Sequence, residues 1–279
     1  MNTRIATIGV AALLLVVVGG GAVWRDWPVP GTEIETSGVA DPLPVPPVPP
    51  RIGEGADYDR CLGMLTSDPD GAAAFATAWE ATGGGDTATH CLALSQVALG
   101  EPEAGAAMLD KLAAVSRASA SARASVFDQA TQAWLMAGEL EHAYASATHA
   151  LALSADDPDL LIDRAIAAGN LGRFGDAVED LGHALEVDPK RADALTLRAS
   201  GWRQLGRLDT ARLDVEAALA IDPDEPEALL ERGILRQRGN DPAGARTDWQ
   251  RAQALAPDSA TADLAQQNLA LLEAGPDAR

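Results

Sequence analysis

The chain has 279 residues and a net charge of −20, with 41 Asp and Glu against 21 Lys and Arg. This balance lacks the clustered cations that sequence-independent nucleic-acid binding requires, and 2 cysteines cannot make a disulfide scaffold or a four-cysteine zinc site. With 47% hydrophobic residues the chain is not disordered overall, and 57 alanines beside 4% aromatics point to close-packed helices rather than sheets.

Residues 1–25 come first. Positions 5–24 carry no charge over 20 residues, and at 1.5 Å per residue such a helix spans about 30 Å, the thickness of a bilayer core. Two readings fit, a retained transmembrane anchor and a secretory signal with Gly20 and Ala22 before a cut. The apolar core of a signal is usually only about 7–15 residues, so the length favours the anchor. Arg4 and the free amino group precede the segment, whereas Arg25 is followed at once by Asp26. That places the N-terminus in the cytoplasm and the rest outside it. Basic residues are nearly all arginine, with lysine only at Lys111 and Lys190, which reads as the codon bias of a GC-rich bacterium. The expected location is therefore a bacterial inner membrane with a periplasmic domain.

Residues 26–53 form a linker, and six of the ten residues at 41–50 are proline. Proline fixes φ and restricts the residue before it, so the stretch favours polyproline II, roughly 30 Å long. It reads as a semi-rigid spacer; a ligand for a proline-recognition domain is the alternative.

Residues 124–259 repeat with a period of 34, carried by Ala143, Ala177, Ala211 and Ala245 and, seven residues on, by Ala150, Ala184, Ala218 and Ala252. Gly138, Gly172 and Gly206 keep the register, and Pro189, Pro223 and Pro257 close successive units. Each unit reads as helix, turn, helix. Glycine stops the first helix, Asp-Pro stops the second, and small alanines sit where the helices approach. Two degenerate units precede them over 54–123, and 260–279 provides an amphipathic capping helix and a tail.

This pattern resembles the tetratricopeptide repeat, clearly over 124–157, 158–191, 192–225 and 226–259 and more weakly over 86–119. The fold class is accordingly all-α, a helix–turn–helix solenoid with a C-terminal capping helix, preceded by one transmembrane helix. The usual first-helix aromatic survives only as Phe127, with Leu161, Leu195 and Leu229 in its place later, and Asn240 replaces the turn glycine. The resemblance implies binding of peptide segments along a concave face formed by the first helices. Carried onto this chain, the groove slots are Asp128 and Gln132 in the first clear unit, and Ile162, Ile166 and Asn170 in the second. Thr196, Ser200, Arg203 and Gln204 follow in the third, then Leu230, Ile234, Gln237 and Arg238 in the fourth. Clamp domains of that family grip a terminal carboxylate with lysine and asparagine, but Ile162 and Thr196 occupy the corresponding positions here and disfavour that activity.

A second periodicity belongs to this chain. Arg164, Arg198 and Arg232 lie one period apart, and Asp180, Asp214 and Asp248 each follow 16 residues later. In the two earlier units both members are missing together, as Ala130 with Ser146 and Leu92 with Met108. The co-occurrence predicts structural ion pairs bridging the two helices of a repeat, rather than an arginine ladder for an anionic ligand. A guanidinium fork suits a partly buried carboxylate because it bonds both oxygens.

Candidate chemistry is sparse. There is no phosphate loop, His-Glu-x-x-His or Cys-x-x-Cys motif, so no catalytic residue, cofactor or metal ligand is assigned. His149 and His183 share a slot without a third ligand. Cys61 and Cys91 fall on the first helices of adjacent degenerate units; in the cytoplasm they read as buried thiols, outside it as a disulfide tying those units. The expected function is a non-enzymatic, membrane-tethered interaction scaffold or assembly factor binding protein or peptide partners, with the oligomeric state open. The alternatives are an enzyme with a site in 51–123, which would need convergent polar residues there beyond Asp57, Asp59, Asp86 and His90, and a homo-oligomeric spacer.

Overall fold

The structure is a computed structural model that describes residues 50–274. The expected membrane segment and most of the proline-rich linker lie outside the described residues. Among those described, no helix is long and apolar enough to cross a membrane.

Thirteen helices among the described residues form the solenoid. The degenerate part contains α1 (Ala56–Met64), α2 (Pro69–Ala81), α3 (Gly85–Ala98) and α4 (Pro102–Val115). The clear repeats pair α5 (Ala120–Ala137) with α6 (Leu140–Leu151), α7 (Pro158–Asn170) with α8 (Phe174–Val187), and α9 (Ala192–Gln204) with α10 (Leu208–Ile221). The last pair is α11 (Pro226–Arg238) and α12 (Pro242–Leu255), followed by α13 (Ala260–Ala274). The four residues inserted before position 124 lengthen α5 at its N-terminus, so one continuous helix crosses that boundary.

Helix ends follow local chemistry. Asp68, Ser119, Asp157 and Asp241 cap α2, α5, α7 and α12 with side-chain oxygens, and proline opens α2, α4, α7, α11 and α12, where no backbone N–H is needed. At the turn inside each clear repeat the chain is left-handed: φ is 76°, 75° and 75° at Gly138, Gly172 and Gly206, and 62° at Asn240. Asparagine is among the few side chains that tolerate this conformation, so the repeat keeps its geometry where glycine is lost.

Consecutive helices pack antiparallel. The odd-numbered helices also meet one another, α1 with α3, α5 with α7, α7 with α9, α9 with α11 and α11 with α13. They line the inner, concave side. The recurring alanines at 143, 150, 177, 184, 211, 218, 245 and 252 are fully buried, which lets paired helices approach closely. Gly233 shows the same demand at its tightest: a Cβ there would lie 2.3 Å from Nε1 of the buried Trp249, whose indole N–H donates to the Leu230 carbonyl at 3.2 Å. Helix α13 covers the end by burying Thr261, Ala262 and Ala265.

At the other end Cys61 and Cys91 are joined as a disulfide between α1 and α3, with a Cα–Cα separation of 6.2 Å. Nearby runs a buried polar chain: His90 Nδ1 lies 2.6 Å from the Tyr58 hydroxyl and His90 Nε2 lies 2.6 Å from Gln129 Oε1. Burial lowers the imidazole to about 4, so it is neutral, and both of its nitrogens are occupied.

Candidate peptide-binding groove

The concave side is built by α5, α7, α9, α11 and α13, and its slots do not all face open space. Ile162 and Ile166 are 3% and 0% exposed and belong to the core. Thr196, Arg203 and Leu230 are also buried. For Ile162 and Ile166 the mutual packing of the inner helices folds the slot into the seam between neighbours, which corrects the expectation of an open groove there. Asp128, Gln132, Asn170, Ser200, Gln204, Ile234 and Gln237 are partly exposed, and Arg238 is exposed. Asn170 turns back on its own helix, donating to the Ile166 carbonyl at 2.9 Å.

A cavity lies between α9, α11 and α13 and measures about 230 Å³. Thr196, Leu197, Ser200 and Arg203 contribute from α9; Leu230, Ile234, Gln237 and Arg238 come from α11, along with Glu227 and Glu231, and Leu264 and Asn268 from α13. The capping helix is thus a wall of the groove, a role its sequence does not announce. Near one end Thr196 donates to Glu225 at 2.8 Å, and burial pushes the Glu225 carboxyl up to about 7. At the other end Arg203 Nε donates to Glu231 at 2.6 Å in a pair that is only 4% and 7% exposed.

Two seams along the concave face solve one problem in opposite ways. Asp163 and Glu231 occupy the same repeat slot two periods apart, and both are buried. Glu231 receives a guanidinium from the preceding inner helix. Asp163 instead receives the Gln132 amide at 3.2 Å and a hydrogen bond with a second carboxyl, Asp128. Burial, and next the Asp163 charge, pushes the Asp128 carboxyl well above its ordinary range; burial raises Asp163 too. The pair therefore holds a proton that the unfolded chain releases. A group raised in this way contributes stability that is present below the unfolded carboxylate pKa, about 4, and lost as pH rises through the folded value. Asp128→Asn keeps a donor facing Asp163 and removes the proton requirement. It is expected to stabilise the protein near pH 7 by about 1 kcal/mol, with the advantage vanishing below about pH 4. Thermal melts across that range check it; an advantage that grows toward acid pH would contradict it.

The three interhelical pairs are bidentate. Arg164 reaches Asp180 at 2.8 and 2.6 Å, Arg198 reaches Asp214 at 2.8 and 2.8 Å, and Arg232 reaches Asp248 at 3.0 and 2.8 Å. They bind the first helix of each repeat to the second and do not line the cavity. In the preceding unit the Ser146 hydroxyl bonds Asp110 at 2.7 Å, which also accepts the Trp134 indole N–H at 2.7 Å.

His149 and His183 do not converge. His149 packs on Phe127 with ring centroids 5.2 Å apart, and His183 lies 3.0 Å from Asp156. Among the described residues no group of three or more His, Cys, Asp or Glu side chains is placed to hold a metal ion. Sequence reasoning missed Glu231 as the partner of Arg203. The available signal was an acid at 231 in a slot that holds Leu197 one period earlier.

No protein-family profile matches the chain. No curated protein matches it either. Solved structures do. The Cut9–Hcn1 hetero-tetramer of the APC/C superposes with a TM-score of 0.57 at 16% identity, covering 76% of this chain and 42% of that one. This chain therefore spans less than half of that relative. YrrB, described as a TPR protein with an unusual peptide-binding site, gives 0.51 at 20% identity over 70% of this chain and 97% of its own. MamA from Desulfovibrio magneticus RS-1 gives 0.53 at 16% identity over 61% and 94%. Helix order, left-handed intra-repeat turns and these superpositions together give the described residues the fold of a tetratricopeptide-like solenoid.

Proposed function

We propose that this chain is a non-enzymatic interaction scaffold or assembly factor, tethered to a bacterial inner membrane by its N-terminal segment, that receives a segment of a partner protein on the concave face. The observation that carries the binding role is the cavity of about 230 Å³ between α9, α11 and α13, with apolar walls and polar groups at both ends. Such a mixture of apolar surface and a few placed polar groups is what ligand-binding clefts present. The peptide-binding site of YrrB supports the same reading by analogy of fold. For the enzyme alternative in 51–123, His90 offers no free group, since its imidazole is fully buried and hydrogen-bonded on both nitrogens.

Crosslinking followed by capture from membranes tests the proposal, using the unaltered chain and a Gln237→Trp plus Arg238→Glu variant that obstructs the groove without touching the core. Partners that crosslink to the unaltered chain and disappear from the variant are expected. Partners indifferent to the variant exclude the groove, and crosslinks only between copies of this chain support the spacer instead.

A further inference from the structure

The groove between α9, α11 and α13 has a cationic end with unused hydrogen-bonding capacity. Arg203 is 4% exposed; its Nε serves Glu231 and its Nη2 donates to Ser200 at 3.0 Å, while its buried Nη1 has no acceptor in the protein. A buried guanidinium N–H left unpaired is costly, and a carboxylate is the acceptor whose geometry fits it best. Arg238 stands at the same end of the groove. Its guanidinium is held below the ordinary arginine range by partial burial and then by the like charge of Arg203, with Glu231 acting in the opposite sense. Two guanidiniums thus face one carboxylate at this end. The other acid of the lining, Glu227, sits at the N-terminal end of α11, where it accepts the Thr261 hydroxyl at 2.8 Å.

The stretch between those ends is apolar, walled by Leu197, Leu230, Ile234 and Leu264. From Glu227 to Arg238 the helix rises about 16 Å at 1.5 Å per residue, the length of about five extended residues. Apolar wall, length and charge together specify an occupant.

Resting on the reading above, we infer that this groove takes an extended partner segment of about five residues, aliphatic over Leu230 and Ile234, whose aspartate or glutamate side chain bonds Arg203 Nη1 and Arg238. Charge sets the direction of the segment: its acidic residue lies at the C-terminal end of α11, away from Glu227.

A random ten-residue peptide display library selected against the full chain is the probe. Selected peptides are expected to share an acidic residue flanked on one side by aliphatic residues. In a synthetic peptide of that consensus, exchanging Glu for Gln should weaken binding by about tenfold or more, and Arg238→Glu in the protein should do the same. Because Arg238 is exposed, the variant retains its fold, checked by an unchanged melting temperature. A Glu-to-Lys peptide should recover binding to Arg238→Glu and bind the unaltered chain poorly, which a merely structural role would not produce. Peptides that are blocked by Gln237→Trp but show no acid preference, or tolerate Glu-to-Gln, overturn the inference and leave the groove reading standing. Selection of no peptide, or of peptides indifferent to Gln237→Trp, overturns both.

Discussion

Arg198→Ala is expected to destabilise the protein by about 3–5 kcal/mol, because it leaves a buried carboxylate without its counter-charge. Asp214 is 10% exposed at the side chain and receives both Nε and Nη2 of Arg198 at 2.8 Å, so in the folded chain the guanidinium stands where water would otherwise solvate the carboxylate. Asp214→Ala alone leaves a guanidinium that is 24% exposed and still partly hydrated, so its cost should be smaller. The double variant removes both charges and should be less destabilised than the sum of the singles. Urea unfolding of the four proteins supplies the cycle; strict additivity would show that the two side chains do not act as a pair. The same exchange at Arg232 should cost less than at Arg198. Asp248 is held by a second arginine, Arg236, at 2.7 Å, and the variant leaves that bond in place.

Reducing the Cys61–Cys91 disulfide should remove about 3–4 kcal/mol, the chain-entropy value for a loop of this size, here a separation of 30 residues. The loss should be local rather than global. Repeat solenoids are held by nearest-neighbour contacts, and their ends open independently of the centre. Helix α1 has only 9 residues and buries Tyr58, Cys61 and Leu62, so it has little else to hold it. Hydrogen exchange with and without reductant should show protection falling in α1 to α4 while α7 to α13 keep theirs. Equal protection in both states would mean that the Tyr58–His90–Gln129 chain and the apolar contacts suffice without the bond. The prediction bears on compartment as well, since a stabilising disulfide persists only under oxidising conditions.

Features that recur every 34 residues are legible in the sequence, because each interior repeat meets the same neighbours and the same physical demand selects the same residue type. Alanines at the helix crossings, the left-handed turn residue, the Asp-Pro stops and the Arg–Asp spacing all belong here. The partner of each arginine could be named because its absence in earlier units was matched by absence of the aspartate. Cys61 and Cys91 were candidates for a bond once they fell on neighbouring first helices, though the choice between thiols and disulfide depended on compartment.

What the tertiary structure alone decided lies between repeats. Ile162 and Ile166 follow the register of groove residues yet are core, since the approach of successive inner helices is set by the curvature of the superhelix and not by its period. The Arg203–Glu231 pair, the carboxyl pair Asp128–Asp163 and the chain from Tyr58 through His90 to Gln129 join side chains in unlike slots, so no periodicity links them. The conversion of the capping helix into a wall of the cavity is of the same kind. A sequence repeats what each unit needs from itself; which unlike residues meet across a seam follows from how the units stack, and there this chain places the groups that set the polarity of its groove.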